Sequence, residues 1–204
     1  TIPDANFKAR LLAADVTNYI AYDLNDYPIK IDANNNYEIE ASEVLLVKTL
    51  NISQSSIIDL TGIEYFNNLI SLECSYNQIN IIPINNLTNL SVLSCGNNQI
   101  NVLNVSGLTN LINLNCSWNY IQNINLTGLS NLQFLNLAHN QINILDLSGL
   151  NNLINLDCSM NQIQNLDVNT HITLESLVCF QNQLSILEVN NLTNLNRLSC
   201  EANY

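Results

Sequence analysis

Seven asparagines, Asn77, Asn98, Asn119, Asn140, Asn161, Asn182 and Asn203, recur every 21 residues, and each closes the frame L-x-x-L-x-[CL]-x-x-N. So short and strict a period dictates architecture first, because one such unit cannot bury its apolar side alone and must stack on its neighbours. Within the frame, Leu72 and Cys74 lie two apart and point to one side of a short strand, while Ser71 and Glu73 face the other. The Asn then turns the chain, and its carboxamide offers donors and an acceptor to backbone groups of adjoining units as a ladder. The second half of each unit, for instance Ile100, Leu103, Val105 and Leu108, is too short for a full helix and is expected to be extended or 3-10. Parallel strands about 4.8 Å apart opposite a side of different spacing give a right-handed curved superhelix. Its parallel β-sheet forms the concave face, where repeat arrays of this shape bind.

The array is expected to occupy residues 47–204 as about eight units. VKTLNISQSSI repeats the frame 22 residues before LISLECSYNQI, with Ile52 in the Cys place and Ser55 in the Asn place. The last unit is cut short at Tyr204 without a polar cap, and the chain opens at Thr1 without an initiator Met or a targeting segment. A trimmed, mature sequence with more to follow is the expectation. Hydrophobic residues make up 47% of the chain, enough for a continuous core, yet no apolar run nears the roughly 20 residues of a membrane span. No Lys or Arg occurs between Lys48 and Arg197, and the net charge is -12. Nothing there would neutralise a phosphate backbone, so nucleic acid is excluded as a partner, whereas a basic protein or a neutral glycan is not.

Cys74, Cys95, Cys116, Cys158, Cys179 and Cys200 all hold the same inward frame position, with Leu137 in the remaining place. Equivalent side chains on neighbouring parallel strands sit about 4.8 Å apart, whereas bridged Cβ atoms want about 3.8 Å. A buried ladder of free thiols, acting as small apolar groups, is therefore expected over disulfides or metal. This Cys-bearing unit, with N-Q-I after the strand, resembles the leucine-rich repeats of bacterial surface proteins, particularly the cysteine-ladder type of internalin and similar proteins of Bacteroidetes. The resemblance covers residues 47–204. It implies a leucine-rich repeat solenoid in a secreted or surface-attached, non-enzymatic protein that binds host proteins or glycans, as adhesins and immune-evasion factors do.

Residues 1–46 lack the repeat and are expected to form a small helical cap. Pro3 and Asp4 can open a helix whose apolar face is Phe7, Leu11 and Ala14. Then Asp32-x-Asn34-x-Asn36-Tyr37-Glu38-Ile39-Glu40-x-x-Glu43 matches an EF-hand loop, and Ala41 to Lys48 could start its exiting helix. Position six is Tyr37, where the sharp turn favours Gly. Two outcomes stay open: calcium on Asp32, Asn34, Asn36, Glu38 and Glu43, or a degenerate loop that keeps the turn without the ion. In either case the loop would hold the cap and no cofactor is required for chemistry.

The frame also sorts the outward positions. Just before each turn Asn come Tyr76, Asn97, Trp118, His139, Met160, Gln181 and Ala202; beside them on the sheet are expected Val92, Phe134, Val178 and Phe180. Rings and a thioether in register on a face otherwise filled with Asn and Ser have the pattern of a hot-spot patch with a polar rim, to which Glu73, Asp157, Glu201 and Arg197 add charge. The expected binding residues are Tyr76, Val92, Trp118, Phe134, His139, Asp157, Met160, Val178, Phe180 and Arg197. Ser117, His139 and Asp157 fall on successive units, but the Asp lies about 10 Å along the strand from the place of the His, and a triad needs contacts of about 3 Å. The expected function is binding of a host extracellular or serum protein, for example a complement regulator, by a monomer. A glycan-binding module and a structural spacer are the alternatives.

Overall fold

The computed structural model describes residues 2–204. Nine strands form one sheet in chain order: β1 (Ala21–Tyr22), β2 (Thr49–Asn51), β3 (Ser71–Glu73), β4 (Val92–Ser94), β5 (Asn113–Asn115), β6 (Phe134–Asn136), β7 (Asn155–Asp157), β8 (Ser176–Val178) and β9 (Arg197–Ser199). β1 is antiparallel to β2, and every later pair is parallel and in register, Leu opposite Leu. The period of 21 is what fixes that register: a slip of one residue would turn each central Leu outward. Those leucines, the Cys column and the inward residues of the return segments form one continuous core along the array.

The turn asparagines form the expected ladder. Asn119 Nδ2 donates to the carbonyls of Cys95 (3.1 Å) and Cys116 (3.0 Å), and its Oδ1 accepts from Ile100 N–H (2.9 Å), so one buried side chain ties two repeats. A second ladder runs at the other end of the strands. Asn89, Asn110, Asn131 and Asn152 each donate Nδ2 to a carbonyl 22 residues back, those of Asn67, Thr88, Thr109 and Ser130. It is readable as an Asn directly before the first Leu of every frame but one, where Thr173 stands and its hydroxyl donates to Asn151 O instead. The return side is made of turns closed by bonds such as Leu108 N–H to Val105 O and Leu111 N–H to Leu108 O. One stretch, Ile63–Tyr65, is a 3-10 helix, and Leu103 bridges Ile124. His171 takes the place held by Leu108, Leu129 and Leu150 in earlier repeats; it is buried, and its Nε2 donates to Leu147 O at 3.1 Å.

Five of the six cysteines are buried and all six are free; Cys200, on the last unit, is exposed. Burial raises the thiols well above their ordinary value, Cys116 and Cys179 to about 12. Thiolates are therefore scarce at neutral pH, as inert packing groups require.

In the cap, helix α1 (Ala5–Leu12) starts where expected, with Asp4 Oδ1 accepting from Phe7 N–H at 2.8 Å. Phe7, Leu11 and Ala14 are buried. Asp4 Oδ2 takes the N–H groups of Ile58 and Asp59, so the same carboxylate staples the helix to the first repeat. Partial burial works against its ionisation, but these backbone donors outweigh that and hold it below the usual carboxylate range. Helix α2 (Ala41–Val44) departs from expectation: it ends after one turn rather than running to Lys48. The reason is competition for backbone groups, since Lys48 N–H is taken by Tyr22 O and the chain must extend to enter β2.

Candidate binding surface

The outward face of the sheet, the concave side of such a solenoid, carries two side-chain lanes. The first reads Ser71, Val92, Asn113, Phe134, Asn155, Ser176, Arg197; the second reads Glu73, Ser94, Asn115, Asn136, Asp157, Val178, Ser199. Large Phe134 and Arg197 with small Ser176 between them leave a depression lined also by Asn155, Asp157 and Val178. Four of the sequence-derived residues thus meet there: Phe134, Asp157, Val178 and Arg197. Val178 departs from the expectation of exposure, being only 6% exposed, because it lies at the floor between the outward side chains of β7 and β9. Asp157 Oδ1 accepts from Ser159 N–H (3.0 Å) and Oγ–H (2.6 Å), leaving Oδ2 toward solvent chemistry. Glu201 is engaged in the same manner, its own backbone N–H and the Ser199 hydroxyl holding it below the ordinary range.

The residues before the turn Asn are not part of that face. Tyr76, Trp118, His139 and Met160 have φ of 58°, 56°, 55° and 54°, the left-handed region, and stand past the strand ends on the turn rim. Each such residue costs on the order of 1 kcal/mol; the offset is a backbone bond to the next repeat, as from Trp118 N–H to Ala138 O at 2.9 Å. On this rim Trp118 and His139 stack with ring centroids 3.5 Å apart and planes at 16°. Met160 adjoins them, together with Tyr120 and Gln141. Tyr120 was missed in the sequence, although it breaks a column of Gln at positions 78, 99, 141, 162 and 183. The expected single patch is therefore two, a sheet depression and an aromatic rim. Tyr76, on the same rim, and Val92, in the first lane, lie nearer the cap and outside both clusters. Phe180 follows Cys179 on a column of small residues, Ser75, Gly96, Ser117, Ala138 and Ser159, and is half-buried.

Ser117, His139 and Asp157 each have other partners: Ser117 Oγ donates to Asn115 Oδ1, His139 stacks on Trp118, and Asp157 serves Ser159. No triad forms from them. In the cap loop Tyr37 adopts φ 65°, so the turn that Gly would give is made regardless. Asp32 accepts from the N–H groups of Asn36 and Tyr37, and Glu43 from those of Ala33 and Glu40. Asn34 and Asn36 accept from the N–H groups of Asn36 and Glu38, while Glu38 pairs with Lys8 at 2.8 Å. Every side chain of the candidate calcium set is thus already holding the loop or the cap. Among the described residues no helix is long and apolar enough to cross a membrane.

Comparison with solved structures places this geometry. The functional domain of InlJ from Listeria monocytogenes, which includes a cysteine ladder, is 28% identical with a TM-score of 0.73, over 99% of this chain and 46% of that one. Internalin C2 of Listeria monocytogenes is also 28% identical, with a TM-score of 0.78, over 99% of this chain and 85% of that one. A leucine-rich repeat protein of Leptospira interrogans is 26% identical, with a TM-score of 0.67, over 79% of this chain and 51% of that one. The chain spans less than half the length of the InlJ domain it matches. No protein-family model matches, and no curated protein sequence does. The fold is an internalin-like leucine-rich repeat solenoid with a cysteine ladder, a form suited to binding proteins.

Proposed function

We propose that this chain is a non-enzymatic binding module, secreted or held on a bacterial surface, that recognises a host extracellular or serum protein as a monomer. A complement regulator is one such target, in adhesion or immune evasion. The observation that supports this reading is the depression on the sheet, where Phe134 on β6 and Val178 on β8 supply apolar contact beside the charges of Asp157 on β7 and Arg197 on β9. Rigid, mixed sites of this kind suit protein hot spots better than small ligands. The calcium question receives the simpler answer in this reading: the loop from Asp32 to Glu43 is a self-bonded turn that needs no ion.

A glycan reading has one specific support, the Trp118–His139 stack beside Tyr120. Each ring already spends one face on the other, which leaves less of the stack for a sugar ring than an isolated Trp would offer.

Capture from serum and from detergent extracts of host cell surfaces tests the proposal, using the immobilised chain and two sets of variants. A partner lost with Phe134→Ser, yet kept with Trp118→Ser and with Ile144→Ser on the return side, supports the sheet depression. Capture unaffected by Phe134→Ser removes that depression as the site, and displacement by simple sugars supports the glycan reading instead.

A further inference from the structure

The aromatic rim lies in the middle of the array and takes no part in the sheet depression. Trp118 and Tyr120 are 53% and 54% exposed, and His139 and Met160 complete the group around one hollow. From Trp118 to Met160 is two repeat steps, about 10 Å at roughly 4.8 Å each, which is the breadth of a small ligand. The other lining side chains are amides, and every amide oxygen among them already accepts a hydrogen bond. Asn98, Asn119 and Asn140 take the N–H groups of Ile79, Ile100 and Ile121, and Gln141 takes Gln122 Nε2 at 3.3 Å. Among the described residues no carboxylate lines the hollow.

This inventory sorts ligands. A sugar, a primary ammonium with three N–H donors or a guanidinium with five needs acceptors, and burying donors without them is costly. A quaternary ammonium has no donor to satisfy and is attracted to π faces, Trp above Tyr, within about 6 Å of the ring centroid. His139 covers one face of Trp118 at 3.5 Å, which leaves the other face and the Tyr120 ring. The charge of the chain favours the same ligand. Between Lys48 and Arg197 stand eight carboxylates and no base, and from Cys74 to Leu145 there is no Asp, Glu, Lys or Arg. The field over these repeats draws cations in, yet no fixed charge of that stretch competes for the rings.

We propose that the rim takes a trimethylammonium cation of the choline type, its methyl groups against the free face of Trp118 and the ring of Tyr120, with the Met160 thioether as a polarisable neighbour. The site is separate from the sheet depression and stands or falls independently of it. No base lines the hollow to receive a phosphate, so the fitted ligand is the cation itself and not a phosphocholine head group.

The test is titration with choline chloride at constant ionic strength. Binding is read from the emission of Trp118, the sole Trp of the chain, and from saturation transfer between the protein and the choline methyl protons. A saturable change is expected by both. The uncharged isostere of choline, with a tert-butyl group in place of trimethylammonium, should bind at least about fivefold more weakly, and phosphocholine more weakly than choline. Saturation transfer to choline should be lost with Trp118→Asn and reduced with Tyr120→Gln. Both variants install residues that the same columns hold elsewhere, Asn97 and Gln99, so circular dichroism should be unchanged. No saturable choline signal, equal binding of choline and its isostere, or transfer unchanged in both variants overturns the proposal. So does binding of phosphocholine, phosphatidylcholine vesicles or simple sugars by a rim that does not bind choline.

Discussion

Asn119 shows what a ladder residue does for the fold. Its amide serves three carbonyls, those of Cys95, Cys116 and Ser117, and its Oδ1 caps Ile100 N–H, all in the interior. Asn119→Ala leaves Ile100 N–H without its partner and removes one of two donors from each carbonyl, since Cys95 O keeps Asn98 Nδ2, Cys116 O keeps Asn140 Nδ2 and Ser117 O keeps Asn97 N–H; the orphaned buried donor costs roughly 1–3 kcal/mol. A loss of about 1–3 kcal/mol is expected in urea unfolding, against under about 0.5 kcal/mol for an exposed return-side change such as Asn123→Ala. Equal effects would mean that the ladder only decorates the turns. The residue just before it is set by the same turn. Trp118 has φ 56°, and that single dihedral takes its ring off the sheet and onto the rim.

At the scale of elements, the cysteine column and the cap loop give two further tests. Burial raises Cys116 and Cys179 to about 12 from an ordinary 9.0. The folded state therefore keeps protons that the unfolded state releases above about pH 9, so stability is whole below that pH and is lost as pH rises toward about 12. The wild-type protein should lose more stability between pH 9 and pH 11 than Cys116→Ala does, read from urea midpoints at each pH. Equal losses would contradict the thiol account. In the cap loop, Glu43 accepts the N–H groups of Ala33 and Glu40, two charge-assisted bonds that together contribute about 3–6 kcal/mol. Glu43→Ala should lower the melting temperature by the same amount with and without millimolar calcium, and calorimetry on the wild-type chain should show no heat of calcium binding. A calcium-dependent rise in melting temperature that Glu43→Ala removes would show instead that the loop exchanges its hydrogen bonds for an ion.

Across the whole molecule, the solenoid was legible because its cause is repetition. A period of 21 with Leu and Cys two apart leaves one way to bury the apolar side, and the strand register, the asparagine ladder and the free thiols all follow from it. The site was only half legible. The frame identified Phe134, Asp157 and Arg197 as outward, but it treated all outward positions as one plane. Nothing in the residue types of Trp118, His139 and Met160 announces a left-handed turn, since that conformation is imposed by the bonds to the next repeat. Val178 faces the depression as expected but is less exposed than expected, for a related reason: alternation gives the direction of a side chain, not how far its neighbours cover it. The short α2 was missed because tertiary pairing of Lys48 with Tyr22 overrides local helix signals.

The central claim is that partner recognition occurs in the sheet depression between Phe134 and Arg197, and site-specific blocking addresses it most directly. The buried cysteines are protected, so with Cys200→Ser in place a thiol introduced by Ser176→Cys, at the floor of the depression, can be labelled alone with a maleimide carrying a short polyethylene glycol. Binding of the captured host protein should fall at least about tenfold on labelling there and be unchanged when the same label is carried by Ile144→Cys on the return side. Full binding with the Ser176 position blocked would contradict the account.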